Sequence, residues 1–172
     1  GKAAGFGPAI RGFESSRPNH HLHIKGDRTA MSIGAVVMAA GQGTRMKSAV
    51  PKVLHEIAGR PLVGWVLDAL AGVRVTNTVV VVGHGAEAVK AVLPAQAKVA
   101  LQREQHGTGH ATQIGLRALD RSCDTVIVLS GDTPLLERDL LKRLVRSHTR
   151  SGRAATLVSA ILDDAGDTGG SP

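Results

Sequence analysis

Ile33-Gly34-Ala35-Val36-Val37-Met38-Ala39-Ala40-Gly41-Gln42-Gly43 is the stretch from which the rest of the chain is read. Residues 33–40 are apolar or glycine without interruption. A strand with one wet face alternates in polarity, so an unbroken run that ends in glycines reads as a strand covered on both faces entering a turn. The same unit recurs outward from it. Residues 61–71 place Leu62, Trp65, Val66 and Ala69 at helical spacing behind Pro61, a residue suited to a first turn. Residues 78–82 are all β-branched and stop at Gly83-His84-Gly85. Residues 86–93 read as a short helix closed by Pro94, 98–101 as a strand, and 108–119 as a helix opened by Gly107-Thr108-Gly109. Residues 125–129 form a fourth strand that ends at Ser130-Gly131-Asp132, followed by a helix at 137–148 and a fifth strand at 155–162. Strand and helix in strict alternation predict an α/β fold, a mostly parallel sheet layered between helices. Right-handed crossovers bring the strand-to-helix turns to one edge of such a sheet, where ligands bind.

Composition limits the function. The chain has 172 residues, 42% hydrophobic and 2% aromatic, with Trp65 the one aromatic residue after Met31. Recognition of single strands by stacking needs rows of aromatics, so that class is excluded. Twenty-one Lys and Arg face fourteen acids, a formal charge of +7. A basic balance suits phosphate-bearing partners, although a solvated, weakly basic surface is the simpler reading. Cys123 stands alone, which rules out an internal disulfide or a cysteine zinc cage and fits a reducing cytoplasm. No apolar run reaches the roughly 18 residues of a membrane span. Residues 1–30 hold five bases, two acids and His20, His21 and His23 in no periodic order. They are expected to be a flexible extension, with Met31 as the original start and residues 31–162 as the folded part.

The turns carry the chemistry. Met38–Gly41 leads into Gln42-Gly43-Thr44-Arg45, and Pro51-Lys52-Val53-Leu54-His55 follows. Glycines let backbone N–H groups approach phosphate oxygens, and Arg45 and Lys52 bring two positive charges to the same connection. Met46-Lys47-Ser48 lacks the glycine of a Walker loop, and Met46 stands where a dinucleotide fingerprint needs a third small residue. Gly83-His84-Gly85-Ala86-Glu87-Ala88 fits that fingerprint better, with Glu104 about twenty residues on, yet a tight turn with close helix packing is preferred. Asp132, just past an apolar strand, suits Mg²⁺, which takes one or two carboxylates and fills its shell with phosphate and water. The alternative is a capping aspartate before Pro134. His55-Glu56 has Gly59 where a zinc-protease helix needs its second histidine. His106 and His110 sit among turn glycines rather than on an open helix face. No G-x-S-x-G elbow supplies a nucleophile. Arg138, Lys142, Arg143, Arg146 and Arg150 read as a solvated basic face.

Met38–Met46, Pro51–His55, Gly83-His84-Gly85, Gln102 with Gly107-Thr108-Gly109-His110-Ala111, and Ser130-Gly131-Asp132 together resemble one family. It is the uridylyltransferase half of the bifunctional N-acetylglucosamine-1-phosphate uridylyltransferase/glucosamine-1-phosphate acetyltransferases. The resemblance implies a Rossmann-like α/β/α nucleotide-diphospho-sugar transferase fold, here truncated. It implies transfer of UMP from UTP to N-acetylglucosamine 1-phosphate, giving UDP-N-acetylglucosamine and pyrophosphate for cell-wall peptidoglycan in the cytoplasm. Met38, Ala39, Ala40 and Gly41 would contact the nucleotide, and Arg45 and Lys52 the phosphates, as the catalytic cations. Gln102, Gly107 and Thr108 would hold uracil and ribose. Ser130 and Gly131 would line the substrate site beside Asp132, which would hold Mg²⁺. Full-length relatives are expected to be homo-oligomers, with no membrane or nucleic-acid partner. Competing readings are another sugar-phosphate or molybdenum-cofactor nucleotidyltransferase, and a non-catalytic basic module that binds nucleic acid.

The match stops at Asp163-Asp164. The family continues Asp-Asp-Pro-Thr and then Gly-Tyr-Gly-Arg-Ile or similar, whereas this chain runs Ala165-Gly166-Asp167-Thr168-Gly169-Gly170-Ser171-Pro172. The later sugar-binding residues, the second metal ligand and the acetyltransferase domain have no counterpart, so a poorly stable fragment with weak UTP binding and little or no turnover is expected. The string GGATACGGGCGGATC encodes Gly-Tyr-Gly-Arg-Ile in one frame and Asp-Thr-Gly-Gly-Ser in the next. Residues 163–172 are therefore expected to be a frameshifted tail. Sequencing the coding DNA should recover codons compatible with that overlap; incompatible codons would refute it.

Overall fold

The computed structural model describes residues 10–12, 31–41, 43 and 46–159. The 163–172 tail and most of residues 1–30 lie outside the described residues. In chain order the strands are β1 (Ile10–Gly12), β2 (Ile33–Ala39), β3 (Glu56–Ile57), β4 (Arg60–Pro61), β5 (Val75–Val82), β6 (Lys98–Leu101), β7 (Thr125–Ser130) and β8 (Thr156–Val158). The helices are α1 (Leu62–Leu70), α2 (Ala86–Ala91), α3 (Gly107–Ala118) and α4 (Arg138–Ser151). Described residues 31–141 belong to one compact unit; residues 10–12 and 142–159 belong to a second.

The first unit is built on a four-stranded sheet ordered β6-β5-β2-β7. Every pairing in it is parallel. The expected α/β layering is thus observed, and the unbroken apolar run has its cause in the position of β2. Flanked by β5 and β7, it leaves Ala35, Val36 and Val37 fully buried. Val79–Val82 of β5 are equally inaccessible. Coverage is incomplete on the outer strands, where Val99, Leu101 and Val128 are exposed. β5 also starts at Val75 rather than at the expected residue 78. Asn77, a poor strand former, is carried into the ladder by pairing with Gly34, and its amide donates to Asp120.

The two faces are closed by different helices. Val36, Ala40, Val79 and Val81 form one cluster with Ala111 of α3 and the adjoining Leu119. Connections β2-α1-β5 and β5-α2-β6 run in one direction across the sheet and β6-α3-β7 in the other. The right-handed rule therefore places α1 and α2 opposite α3. Their Val63, Val66 and Val89 are fully buried, as are Val37, Val80 and Val82 of the sheet.

Other elements depart from expectation. The fifth strand does not join the parallel sheet: β8 pairs antiparallel with β1, Ile10 opposite Val158 and Gly12 opposite Thr156. An apolar run announces a strand but not its partner, and three residues of β1 are too few to show alternation in the stretch expected to be an extension. The β3–β4 hairpin was equally unmarked. It turns through Ala58 and Gly59, both at positive φ (54° and 72°). Trp65 fixes it to α1 by donating its indole N–H to the Ile57 carbonyl (3.1 Å) beneath the Arg60 guanidinium.

Gly115 sets how closely α3 approaches the sheet. A Cβ there would overlap the Val36 side chain and come within 3.0 Å of Val81. Gly109, in the first turn of α3, has nothing within 4 Å of its Cβ position. Gly115→Ala should therefore lose about 1–2 kcal/mol, overpacking exceeding the helix-propensity gain of ~1 kcal/mol. Gly109→Ala should gain about 0.5–1 kcal/mol; urea midpoints of both variants check the pair.

Candidate active site

The strand order reverses between β2 and β7, and at such a switch point the connections leave the sheet in opposite directions and open a crevice. A cleft of about 270 Å³ lies outside the carboxyl ends of these strands. Met38, Ala40 and Gly41 reach it from the end of β2, and Ser130 and Asp132 from the end of β7. Gln102, Gly107 and Thr108 approach from the β6–α3 side. Lys52 and Val53 come from a single 3₁₀ turn, Lys52–Leu54. Two of the expected residues stand behind the lining. Ala39 is buried within the sheet, and Gly131 donates its N–H to the Met38 carbonyl (2.8 Å). That contact ties the ends of the two strands together. Arg45, with Gln42 and Thr44, lies outside the described residues.

Lys52 and Asp132, distant in sequence, meet across the cleft with Nζ 2.6 Å from Oδ2. Lys52 is delivered there by a turn that closes through Leu54 N–H to the Pro51 carbonyl and is pinned by the buried Val53. Gly43, at φ +62°, belongs to this arrangement, because a Cβ on it would stand 2.8 Å from Lys52 Cβ. The other carboxylate oxygen of Asp132 accepts from the Ser130 hydroxyl. Partial burial pushes the Asp132 carboxyl up, but the Lys52 ammonium and the Ser130 hydroxyl outweigh it and hold the group below its ordinary value of 3.8. Asp132 is thus a carboxylate kept ionised against a cation.

Gln102 is buried, unusually for an amide, and its backbone N–H donates to the Val82 carbonyl (2.7 Å), extending β6 by one bond toward the cleft. Gln105 also lines the cleft and donates from Nε2 to the Ala40 carbonyl (2.8 Å). The sequence reading missed it, since an amide in an aperiodic, polar stretch carries no signal beyond its type. Gly83-His84-Gly85 is a tight turn: a Cβ on Gly85 would sit 2.5 Å from Pro51 Cγ, and one on Gly83 2.8 Å from the Ala40 oxygen. Close packing against Ala40 and Pro51 accounts for these glycines. Glu104 engages His106 Nε2 at 2.8 Å. No group of three or more His, Cys, Asp or Glu gathers to hold a metal among the described residues. Arg138 of the basic stretch is paired with Asp68 (2.7 Å). None of the described helices is long and apolar enough to cross a membrane.

Known proteins agree with this architecture. The model of the MobA-like NTP transferase domain matches residues 35–164. The bifunctional protein GlmU of Heliobacterium modesticaldum is 50% identical over 130 residues, which cover 76% of this chain and 28% of that protein. The chain therefore spans under a third of the length of that curated relative. A nucleotidyl transferase from Methanothermobacter thermautotroptrophicus, Mth528, superimposes with a TM-score of 0.60 at 26% identity, over 67% of this chain and 57% of that one. Rv0371c of Mycobacterium tuberculosis H37Rv, solved as a complex with manganese, has the same fold: TM-score 0.60, 22% identity, 71% of this chain and 62% of that one. With the family match extending over most of the chain and the cleft lying at the switch point of its sheet, this chain belongs to the MobA-like NTP transferase domain family.

Proposed function

We propose that this chain carries the nucleotide-binding part of a uridylyltransferase that moves UMP from UTP to N-acetylglucosamine 1-phosphate, releasing pyrophosphate and UDP-N-acetylglucosamine. The observation that carries it is the Lys52–Asp132 pair facing a small cleft at the sheet's switch point. The neutral, directional groups Gln102, Gly107 and Thr108 are assigned to base and ribose, and the backbone of Met38–Gly41 to the rest of the nucleotide. Lys52, with Arg45, is assigned to the phosphates. Ser130 and Gly131 support Asp132. The reading includes the cytoplasmic setting of cell-wall precursor synthesis, and weak activity for this chain alone.

A divalent ion fits the residues present. One carboxylate held against a cation, the one acid in the cleft lining among the described residues, suits Mg²⁺, which draws its other ligands from phosphate and water. Asp132 would hold it, and the bound ion would supply charge neutralisation to the reacting phosphates. The remaining work falls to the chain. Lys52 exchanges its carboxylate partner for phosphate oxygens, which frees Asp132 as the nucleotide enters. An oxygen of the sugar phosphate, already anionic, attacks the α-phosphorus; its bond forms as the bond to the β-phosphate oxygen breaks, and pyrophosphate leaves with that electron pair. The nucleophile needs no general base, and catalysis is alignment plus electrostatic stabilisation.

Thermal melting with UTP and Mg²⁺ tests the assignment. A ligand that binds only the folded form raises the midpoint. Lys52→Ala and Asp132→Asn should each lose most of the shift seen in the parent chain, and equal shifts in all three would refute the roles.

A further inference from the structure

The amide of Gln102 lines the cleft, and the end it turns outward decides which base edge it can read. Its Nε2 lies 3.3 Å from the Gly107 carbonyl oxygen and 3.2 Å from His110 Nδ1. A carboxamide nitrogen has two hydrogens, one for each of these contacts when Nδ1 is the acceptor. Oε1 makes no hydrogen bond among the described residues and is left for a ligand. The Gly107 carbonyl can only accept. His110 Nδ1 is the variable member, since it accepts from Gln102 only when the ring proton sits on Nε2. A proton on Nδ1 would turn it toward the Glu104 carbonyl, 3.1 Å away, and set it against the Gln102 amide as a second donor. The Glu104 carbonyl receives the His106 N–H (3.1 Å) and so has a donor without Nδ1, whereas the second Gln102 amide hydrogen has Nδ1 as its one acceptor among the described residues.

We infer that His110, as its Nε2–H tautomer, is a positioning residue that locks the Gln102 amide with Oε1 toward the cleft. The site is thereby set for a base with an N–H on its pairing edge, as in uracil. Cytosine, which presents a bare acceptor nitrogen there, meets a second acceptor and is disfavoured. This rests on the proposed placement of the base against Gln102. It adds that discrimination depends on a side chain that touches Gln102 rather than the nucleotide.

The test is calorimetric binding of UTP and of CTP, each with Mg²⁺, to the parent chain, His110→Leu and His110→Asn. The parent should favour UTP by roughly tenfold or more, the worth of one hydrogen bond won and one acceptor clash avoided. His110→Leu should reduce that ratio by about five- to tenfold, mainly through weaker UTP binding. His110→Asn, whose side-chain oxygen can stand in for Nδ1, should keep the ratio within about twofold. An unchanged ratio in His110→Leu, with UTP still preferred by the parent, overturns the role of His110 and leaves the nucleotide site intact. Binding of neither nucleotide by the parent removes the site and this inference with it. Nitrogen NMR of the parent chain provides a measurement that does not depend on a variant folding. A bare Nδ1 on His110 at neutral pH supports the lock, and a protonated Nδ1 overturns it.

Discussion

The hydrogen bond from the Gly131 N–H to the Met38 carbonyl joins the ends of two strands that are far apart in sequence, and the site depends on that join. β2 and β7 are neighbours because the chain builds outward to β6 on one side and then returns across the sheet. The return forces α3 onto the opposite face and leaves an opening where the two directions part. Met38, Ser130 and Asp132 are positioned by this reversal. Met38 stands opposite Ser130 at the end of a register that begins with Ile33 opposite Thr125.

Within that frame the ion pair is provisional. Lys52 and Asp132 are both partly exposed, at 43% and 26%, and pairs of that kind contribute about 1 kcal/mol or less to folding. The fold would lose little without it. In the proposed reading, the pair keeps a cation for phosphate and an anion for a metal ion side by side until the nucleotide enters. Gly43 and Val53 serve its geometry. The first clears space against Lys52 Cβ, and the second anchors the turn that delivers it.

Much of this was legible in the sequence, for a specific reason. Buried central strands are written as unbroken valine and alanine runs, so β2 and β5 could be read directly, and the glycine turn after β2 marked the edge where the cleft lies. What depends on distant partners could not be read. Nothing in residues 155–162 says that the strand there pairs with Ile10–Gly12 instead of extending the parallel sheet. Nothing near Gln105 says that its amide reaches the Ala40 carbonyl across 65 residues of chain. That Lys52 and Asp132 share an edge followed from topology, but that they touch follows only from the turn at Pro51, whose own place is set by Gly85.

The two ends of the cleft obey different physics. At the Lys52–Asp132 end, proposed for the phosphates, the contacts are ionic, weakly directional and exchangeable, since an ammonium pairs with a carboxylate or a phosphate with little change of geometry. At the other end the contacts are neutral amides fixed to backbone carbonyls, Gln102 to Gly107 and Gln105 to Ala40, and a neutral amide cannot exchange partners without turning over. Charge alone would admit any nucleoside triphosphate, and amides alone would bind a base too weakly to retain it. In the proposed reading selectivity therefore belongs to the buried amide end and affinity to the exposed ionic end, in keeping with a buried Gln102 and with Lys52 and Asp132 partly in water.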